Sequence, residues 1–314
     1  MTITQLQYVL AVAEYKNFTL AAEKSNVTQP TLSMQVQKME EELKILIFDR
    51  SKKPIQLTEI GQKIVNQAKN IVNEAGRMQD IVEQQKGFVG GEFRLGIIPT
   101  VMPTLLPMFL SNFIHKYPKV KLIIEELNTD EIITKLHNGH LDAAIASTPL
   151  QVDSLKEIVL YFEPYIAYIP ENHHIAQKSE IEITDLNLDD ILLLKDGHCF
   201  REGVLNLCKR NGNSKNGTFR LESGSFETLI KLADEGLGMT LLPFLHTQNL
   251  TQIDQLKLRE FKSPKPAREV SLIYPKSQLK IQIIDALRSV ISGVVKGAIV
   301  FQNVKIISPL NTKN

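Results

Sequence analysis

A run of apolar residues in alternating steps of three and four positions extends from Ile60 to Val82. On a helix this spacing aligns the side chains in one long stripe, which needs a second helix to cover it. The run is followed by GFVGG at residues 87–91, a composition typical of a flexible joint. The chain is therefore predicted to divide here, with a linker helix and Gly-rich hinge over residues 58–91. The stripe consists of Ile60, Ile64, Ala68, Ile71, Ala75, Met78 and Val82.

Two interpretations of the linker helix are open. An amphipathic helix would lie on its own domain, and that domain would then cover the stripe. The joint after the helix favours a second interpretation, in which the stripe packs against the same helix of another subunit and forms a homodimer.

Residues 1–57 are predicted to form a small domain of three short helices. Asn26 and Val27 suit a tight turn between the second and third helices. Thr28 suits the N-cap of the third helix, and Pro30 falls in its first turn, where a missing N–H is tolerated. This punctuation is typical of a helix-turn-helix. The apolar positions at helical spacing are Leu6, Val9, Leu10, Ala13, Leu20, Ala21, Val27, Leu32, Val36, Met39 and Leu43.

Polar side chains of the third helix and of the loop after it suit contacts with double-stranded DNA. Amide and hydroxyl groups reach base edges and phosphates, and a basic loop between extended segments can hold backbone phosphate as a wing. A solvated helix and loop would show the same features, and the net charge of +1 does not decide between them. The residues predicted to contact DNA are Thr28, Gln29, Pro30, Thr31, Ser33, Gln35, Lys38, Arg50, Lys52 and Lys53.

Residues 17–50, NFTLAAEKSNVTQPTLSMQVQKMEEELKILIFDR, resemble the DNA-binding signature of the LysR-type transcriptional regulators. An alanine pair and the Gln-Pro, Leu-Ser and Glu-Glu-Leu elements occur in the same order. Met34 departs from the pattern, because many members carry a small or basic residue there. The resemblance implies a winged helix-turn-helix and a homotetramer built from two dimers. Paired recognition helices would read operator half-sites one helical turn, or a multiple of it, apart.

Residues 92–300 alternate predicted strands with predicted helices, which indicates an α/β effector domain. We expect two lobes, lobe I from residues 92–162 and 268–300 and lobe II from residues 163–267, in the periplasmic-binding-protein-like arrangement. Ligands of such folds lie where strand carboxyl ends meet helix N-termini. No structure is predicted for the tail at 301–314. The predicted strands include residues 93–98, 120–127, 141–146, 165–170, 239–243 and 268–275, and the predicted helices residues 104–117, 227–238 and 280–295.

The expected compartment is the cytoplasm. The N-terminus lacks the features of a signal peptide, and no apolar run approaches the roughly 18 residues of a membrane span. A permanent disulfide is not expected there. The sequence contains neither the C-x2–4-C pair of a zinc site nor a phosphate-binding GxxxxGK[ST] motif. We therefore predict no metal and no cofactor, and the histidine pairs are interpreted as solvated: His137 with His140, and His173 with His174.

Both cysteines of the chain, Cys199 and Cys208, lie in the segment KDGHCFREGVLNLC at residues 195–208. If the segment after Cys199 is helical, the two Cα atoms are about 13 Å apart, whereas a disulfide allows at most about 7 Å. Bond formation would then require unwinding, as in a two-state sensor. On composition alone, two structural cysteines are the commoner alternative.

The start of this predicted helix favours a reactive thiol. Asp196 and Gly197 suit the helix start, which places Cys199 in the first turn, where the helix dipole favours an anion. Arg201 and His198 would add positive character. We therefore expect the pKa of the Cys199 thiol to lie well below its ordinary value of about 8.5.

The segment DGHCFREGVLNLC resembles the redox segment of the hydrogen-peroxide sensors among the LysR-type regulators, which have the same eight-residue interval between two functional cysteines. This resemblance runs from the first helix to about residue 292. It implies that Cys199 is the peroxidatic cysteine and Cys208 the resolving one. GIIPTVMPTLLP and NTDEIITKL resemble the segments that supply pocket threonines. The implied peroxide pocket consists of Thr100, Thr129, His198 and Arg201.

The predicted function is regulation of transcription, not enzymatic turnover. The regulator would bind operator DNA, take hydrogen peroxide as its effector, act with RNA polymerase and be reset by a cellular dithiol. One alternative is a LysR-type regulator with a small metabolite in the cleft between the lobes and inert cysteines. A thiol peroxidase, which would consume peroxide at high turnover without DNA, is another.

Overall fold

The structure is a computed structural model, and it describes residues 1–85, 89–208, 223–299 and 304–309. The chain divides into two compact units, Met1–Phe88 and Val89–Asn314. Helices of the first unit are α1 (Ile3–Tyr15), α2 (Phe18–Lys24), α3 (Gln29–Leu43) and α4 (Glu59–Gln85), and its strands are β1 (Phe48–Asp49) and β2 (Gln56–Leu57).

Local signals begin and end the first helices of the N-terminal unit. Thr2 and Gln5 form a capping box at the start of α1, and Asn17 caps α2 through its side chain. The turn before α3 contains Asn26 at φ 54°, in agreement with the predicted tight turn. Thr28 occupies the N-cap position of α3 but makes no side-chain cap, because its hydroxyl pairs with that of Thr31 at 2.8 Å.

Helix α4 covers part of its apolar stripe within its own unit. Ala68 is buried there, together with Val65, which lies outside the predicted stripe. Ile64 and Ile71 pack at the edge of the same core. In contrast, the stripe residues Ile60 and Met78 are 43% and 68% exposed. The stripe is therefore shared between the unit's own core and solvent, and Val82 lies outside the described side chains.

The second unit is a mixed α/β structure. Its strands are β3 (Gly91–Ile97), β4 (Val120–Glu126), β5 (Ala143–Thr148), β6 (Leu155–Tyr168), β7 (Glu180–Ile181), β8 (Thr240–Pro243), β9 (Leu258–Phe261), β10 (Lys265–Pro275) and β11 (Val304–Ile306). Its helices are α5 (Met102–Lys116), α6 (Thr129–His137), α7 (Cys199–Leu207), α8 (Phe226–Asp234), α9 (Phe244–Thr247), α10 (Gln252–Gln255) and α11 (Ile281–Ala298).

The described strands follow the order β4-β3-β5-β10-β6-β9-β7, with β11 paired to β10 and β8 to β6. Strand β3 is parallel to β4 and β5, whereas β10 is antiparallel to β5 and β6. Two separate buried clusters lie along this sheet. Strand β6 contributes Tyr161 to one cluster and Tyr165 to the other, and β10 pairs with it along most of its length, so these long strands join two lobes. The predicted fold class, a winged helix-turn-helix followed by a two-lobed α/β domain, is confirmed.

Two segments of the second unit differ from simple expectation. The apolar run at residues 191–194 is typical of a strand, but Ile191 forms only an isolated bridge with Met239. The tail, for which no structure was predicted, contributes β11, which runs parallel to Lys265–Ala267 of β10. Among the described residues, no helix has both the length and the apolar character that a bilayer crossing requires.

Candidate functional site

Helix α7 begins at Cys199 because the residues before it turn the chain sharply. Gly197 has φ +88°, a conformation that side chains disfavour, and His198 occupies the extended N-cap position. One face of the helix then enters the core, where Phe200 and Val204 are 2% and 1% exposed. The predicted helix start and the first-turn position of Cys199 agree with this geometry.

The two cysteines are reduced and buried in different cores. Cys199 belongs to the cluster of the first lobe, and Cys208 to that of the second. Nine residue steps of 1.5 Å along α7 separate their Cα atoms by about 13 Å, roughly twice the limit for a disulfide. A bond between them is therefore incompatible with intact α7, and at least one thiol must leave its core to form it.

Cys199 lines a narrow crevice that does not admit a water-sized molecule as it stands. Thr100 follows β3, Thr129 is the first residue of α6, and His198 precedes α7. The site is thus built where strand carboxyl ends meet helix starts. Four of the predicted site residues meet here: Thr100, Thr129, His198 and Cys199. The lining residues are Ile98, Pro99, Thr100, Asn128, Thr129, Gly197, His198 and Cys199.

Two polar atoms of this crevice lack an ordinary hydrogen-bond partner. Thr129 Oγ1 is buried and faces the Cys199 sulfur without a standard hydrogen bond, and His198 Nδ1 is buried and unpaired in the described structure. Buried polar atoms are normally satisfied, so these two atoms are polar groups of the crevice that a small ligand could pair with. Thr100 differs, because its hydroxyl accepts a hydrogen bond from Arg268 Nη1 at 2.8 Å.

Burial raises the pKa of the Cys199 thiol above its ordinary value. The positive charge of Arg268 opposes this effect most strongly, followed by the Thr129 hydroxyl and the backbone N–H groups of Ser147 and Phe200. The prediction of a lowered pKa is therefore wrong for this conformation, because desolvation of the thiolate outweighs the favourable charges. Burial also raises the pKa of Cys208, to about 11.

Arg201, the arginine predicted to line the pocket, contacts the preceding loop instead. Its Nη1 donates to the Leu194 carbonyl at 3.0 Å, and its Nε lies 2.8 Å from Asp196 Oδ1. It therefore supports the loop before α7 and is absent from the lining of the crevice. His198 adds no positive charge at neutral pH either, because burial and the nearby Lys195 lower its pKa.

Arg268 supplies the positive charge that the sequence analysis had assigned to Arg201. It is 1% exposed and pairs with the equally buried Glu163 through Nη2 at 2.6 Å and Nε at 2.9 Å. Its Nη2 also donates to the Thr100 carbonyl at 3.0 Å, and its guanidinium lies 5.1 Å from the Phe200 ring. One signal was available in the sequence, since Glu163 and Arg268 are charged residues within buried strands, where charges occur mainly as pairs.

The described histidines include one group with metal-ligand character. One ligand atom from each of His173, His174 and Asp190 lies within 4.8 Å of the others. His174 is exposed, and three ligands leave a fourth position to solvent, unlike the closed four-ligand sets of structural zinc. The group is separate from the residues that line the crevice.

The predicted DNA-contacting residues form an exposed polar surface on the N-terminal unit. Ser33 and Gln35 are half-buried, and Gln35 Oε1 accepts a hydrogen bond from Gln5 Nε2 at 3.1 Å. Lys52 lies 4.0 Å from Asp49 Oδ2 in the wing. The exposed members are Thr28, Gln29, Pro30, Thr31, Lys38, Arg50, Lys52 and Lys53.

Arg50 also has an internal role that the sequence analysis missed. Its Nη2 donates to Glu40 Oε2 at 2.8 Å, and its guanidinium lies 5.1 Å from the Phe18 ring. Glu40 is only 4% exposed and accepts two further hydrogen bonds, from the backbone N–H groups of Ile47 and Phe48. This buried carboxylate thus ties α3 to the beginning of the wing.

Comparison with known proteins gives two family matches that together span most of the chain. Residues 3–62 match the bacterial regulatory helix-turn-helix protein model of the lysR family. Residues 86–294 match the LysR substrate binding domain.

Individual relatives extend over nearly full length. A Haemophilus influenzae protein called hydrogen peroxide-inducible genes activator is 32% identical over 302 residues, which are 94% of this chain and 100% of the relative. The structure of full-length Pseudomonas aeruginosa OxyR with a cysteine-to-aspartate substitution has a TM-score of 0.75 and 33% identity, covering 93% of this chain and 98% of that one. A cysteine-to-serine mutant of Corynebacterium glutamicum OxyR with hydrogen peroxide bound has a TM-score of 0.62 and 28% identity, covering 97% and 98%. The chain therefore belongs to the LysR family of bacterial transcriptional regulators, as an OxyR-type member.

Proposed function

We propose that the protein senses hydrogen peroxide through a reversible disulfide between Cys199 and Cys208, and that the resulting change in α7 alters DNA binding and transcription. The observation that carries this proposal is the position of the two thiols at opposite ends of one helix and in different cores. Reduced and oxidised chains cannot share this local fold, which is the property that a switch requires. The names of the Haemophilus and Corynebacterium proteins point in the same direction.

The chemistry proceeds in two balanced steps. The Cys199 sulfur attacks one peroxide oxygen, the S–O bond forms as the O–O bond breaks, and the departing hydroxide takes a proton to become water. Cys208 sulfur then attacks the resulting sulfenic acid, the S–S bond forms, and a second water leaves. A cellular dithiol reverses the change, becoming oxidised to its own disulfide while both thiols are restored.

The residues around Cys199 have separate roles in the first step. Arg268 favours the attacking thiolate over the buried thiol by its charge. Thr129 and His198 offer the unpaired polar atoms that would hold the peroxide. Thr100 lines the crevice and connects it to Arg268, because its hydroxyl accepts a hydrogen bond from the guanidinium.

The size of the crevice favours peroxide over a metabolite. Pockets for small organic ligands usually measure about 300–1,000 Å³, whereas the crevice at Cys199 does not hold even a water-sized molecule as it stands. Peroxide has two heavy atoms, so a small parting of the walls admits it. A metabolite would require a much larger opening between the lobes.

The wider assignments belong to the same proposal. Residues 1–57 bind operator DNA, residues 58–91 form the dimerising linker, and residues 92–300 form the redox sensor, with lobe I at 92–162 and 268–300 and lobe II at 163–267. Pairing through α4 gives a homodimer, and two dimers give a homotetramer. The protein acts in the cytoplasm with RNA polymerase. A strained disulfide has a potential above the roughly −300 mV of structural bridges, so cellular dithiols reopen it.

The test is intact mass and differential alkylation of the reduced protein before and after one equivalent of hydrogen peroxide. A loss of two mass units, with both cysteines protected and with reversal by dithiol, is the expected result. The variant Cys208→Ser should stop at the sulfenic acid, which is one oxygen heavier than the thiol. Cys199→Ser should remain unmodified. Footprinting of both redox forms on operator DNA then relates the chemistry to function.

The same experiment separates the alternatives. If both thiols of the wild-type protein remain alkylatable, the metabolite-binding regulator is the better assignment, and Cys199→Ser would leave induction intact. If peroxide is consumed over many cycles at high turnover without DNA, the thiol peroxidase is favoured. The sensor instead completes one slow cycle for each reduction.

A further inference from the structure

The C-terminal segment 304–309 contacts the two elements that the proposed switch depends on. Strand β11 pairs with Lys265–Ala267 of β10, and the N–H of Ile307 extends this pairing by donating to the Ala267 carbonyl at 2.8 Å. Ala267 immediately precedes Arg268, whose charge acts on Cys199. The segment therefore supports the strand end from which Arg268 projects.

The same segment contacts helix α7. Asn206 Nδ2, two residues before Cys208, donates to the Ser308 carbonyl at 2.9 Å. Ile307 is 9% exposed and belongs to the same buried cluster as Leu207 and Cys208. Through Asn206 and this cluster, the tail packs against the half of α7 that carries the resolving cysteine.

These contacts close a ring around the redox site. The tail pairs with β10, Arg268 of β10 lies 5.1 Å from the ring of Phe200 in α7, and Asn206 of α7 returns to the tail. The pairing of β11 with β10 involves no residue of α7, whereas the other two connections use Phe200 and Asn206 and depend on their places in the folded helix. Unwinding of α7 must displace Asn206, and so it must break the ring.

We propose that residues 304–309 form a latch that holds α7 in its reduced, helical form and thereby sets how readily the disulfide closes. This inference rests on the proposed peroxide switch. Because the latch favours the reduced form, oxidation must in turn weaken the latch by thermodynamic reciprocity. Residues 304–309 then slow the oxidation of the cysteines, and oxidation releases these residues from α7.

A matched pair of variants in the tail tests the latch. Ile307→Ser removes a buried anchor, whereas Ile306→Ser changes its neighbour in β11, which is 37% exposed. The rate of disulfide formation after hydrogen peroxide addition should rise at least about threefold in Ile307→Ser, because a buried apolar side chain that packs in the cluster of Leu207 and Cys208 is lost. Ile306→Ser should stay within about twofold of wild type, as expected for a surface position.

Two further measurements keep the test decisive. If Ile307→Ser does not fold, Asn206→Ala removes the donor to Ser308 and should accelerate closure in the same direction. Hydrogen exchange of the wild-type protein should show faster exchange at residues 304–309 after oxidation. A purely structural role for the tail would leave this oxidation-dependent change absent.

The outcomes distinguish the latch from the sensor. Equal closure rates in the Ile307→Ser and Ile306→Ser variants, with a disulfide formed in the wild type, overturn the latch and leave the peroxide switch in place. Absence of a disulfide in the wild type overturns the switch itself. Faster closure in Ile307→Ser and Asn206→Ala, with exchange at the tail that follows oxidation, supports the latch.

Discussion

At the scale of single residues, the reactivity of Cys199 is set by opposing effects that come from distant parts of the chain. Burial disfavours the thiolate, and the charge of Arg268 favours it. Arg201, which is close in sequence, is held by Leu194 and Asp196. The reduced form thus keeps a mostly protonated thiol that is poised next to a buried cation.

The pH dependence of the first oxidation step follows from the raised pKa of Cys199. Because the thiolate is the nucleophile and its fraction grows with pH below the pKa, the rate should rise about tenfold per pH unit from pH 6 to 8 and continue to rise beyond pH 8.5. The measurement is stopped-flow sulfenic acid formation in the Cys208→Ser variant. A rate that is already constant at pH 7 would show a low-pKa thiolate, as the sequence analysis had expected.

Conservative replacements distinguish the two arginines. Arg268→Lys keeps a positive charge but loses the planar set of hydrogen bonds to Glu163 and Thr100, so sulfenic acid formation should slow by at least about tenfold, the factor that accompanies one lost pKa unit of thiolate stabilisation. Arg201→Lys is the matched control, and its rate should stay within about twofold of wild type. Thermal melting of both variants excludes global unfolding. A larger effect of Arg201→Lys would return that residue to the pocket.

At the scale of elements, α7 is held between the two lobes by close packing. Gly203 allows this packing, because a Cβ atom added to it would lie 2.1 Å from the Tyr165 hydroxyl. Tyr165 is itself 2% exposed and packs on Phe200, with ring centroids 4.9 Å apart. The helix therefore has little freedom to shift while it remains folded.

Two glycine-to-alanine variants test this packing. Gly203→Ala should lower the melting temperature, with a destabilisation of about 1–3 kcal/mol from overpacking that exceeds the gain in helix propensity. Gly297→Ala in α11 meets no atom within 4 Å and should instead stabilise slightly or leave the melting temperature unchanged. Equal melting temperatures for the two variants would mean that Tyr165 yields easily and that α7 is loosely held.

Most elements were predictable because their signals are local. The turn at Asn26, the first turn of α7 and the strands β3, β4 and β5 follow from capping, spacing and apolar runs. Strand β11 carried no such signal. Its three residues pair with β10 through backbone hydrogen bonds, which do not depend on particular side chains. Periodicity shows that α4 has an apolar face but not what covers it, so the sequence left open whether the N-terminal core or a second helix covers the stripe.

At the scale of the whole molecule, buried histidines make the folded protein sensitive to acid. Burial is the main cause that lowers the pKa of His173, His198 and His246. An unfolded chain takes up protons on these groups near pH 6.5, before the folded chain does. Stability is therefore expected to fall as pH falls below about 6.5.

Thermal melting at several pH values checks this expectation. The melting temperature should be nearly constant from pH 8 to 7 and should decrease from pH 6.5 to 5. His246→Asn, which cannot take up the proton, should show a smaller decrease than wild type. A melting temperature that is unchanged or higher at pH 5.5 would show that these histidines are protonated in the folded protein. Paired carboxylates such as Asp254, whose pKa is lowered, act only at still lower pH.

The sequence by itself determined the features that depend on residues near one another in the chain. These are the helix-turn-helix, the alternation of strands and helices, and the separation of Cys199 from Cys208 along one helix. Tertiary structure alone decided which arginine acts on Cys199, the direction of the thiol pKa shift, and the contact of the tail with α7. The physical reason is that desolvation and charge act through space, so their balance depends on which distant strands, loops and tail residues the fold brings to one point.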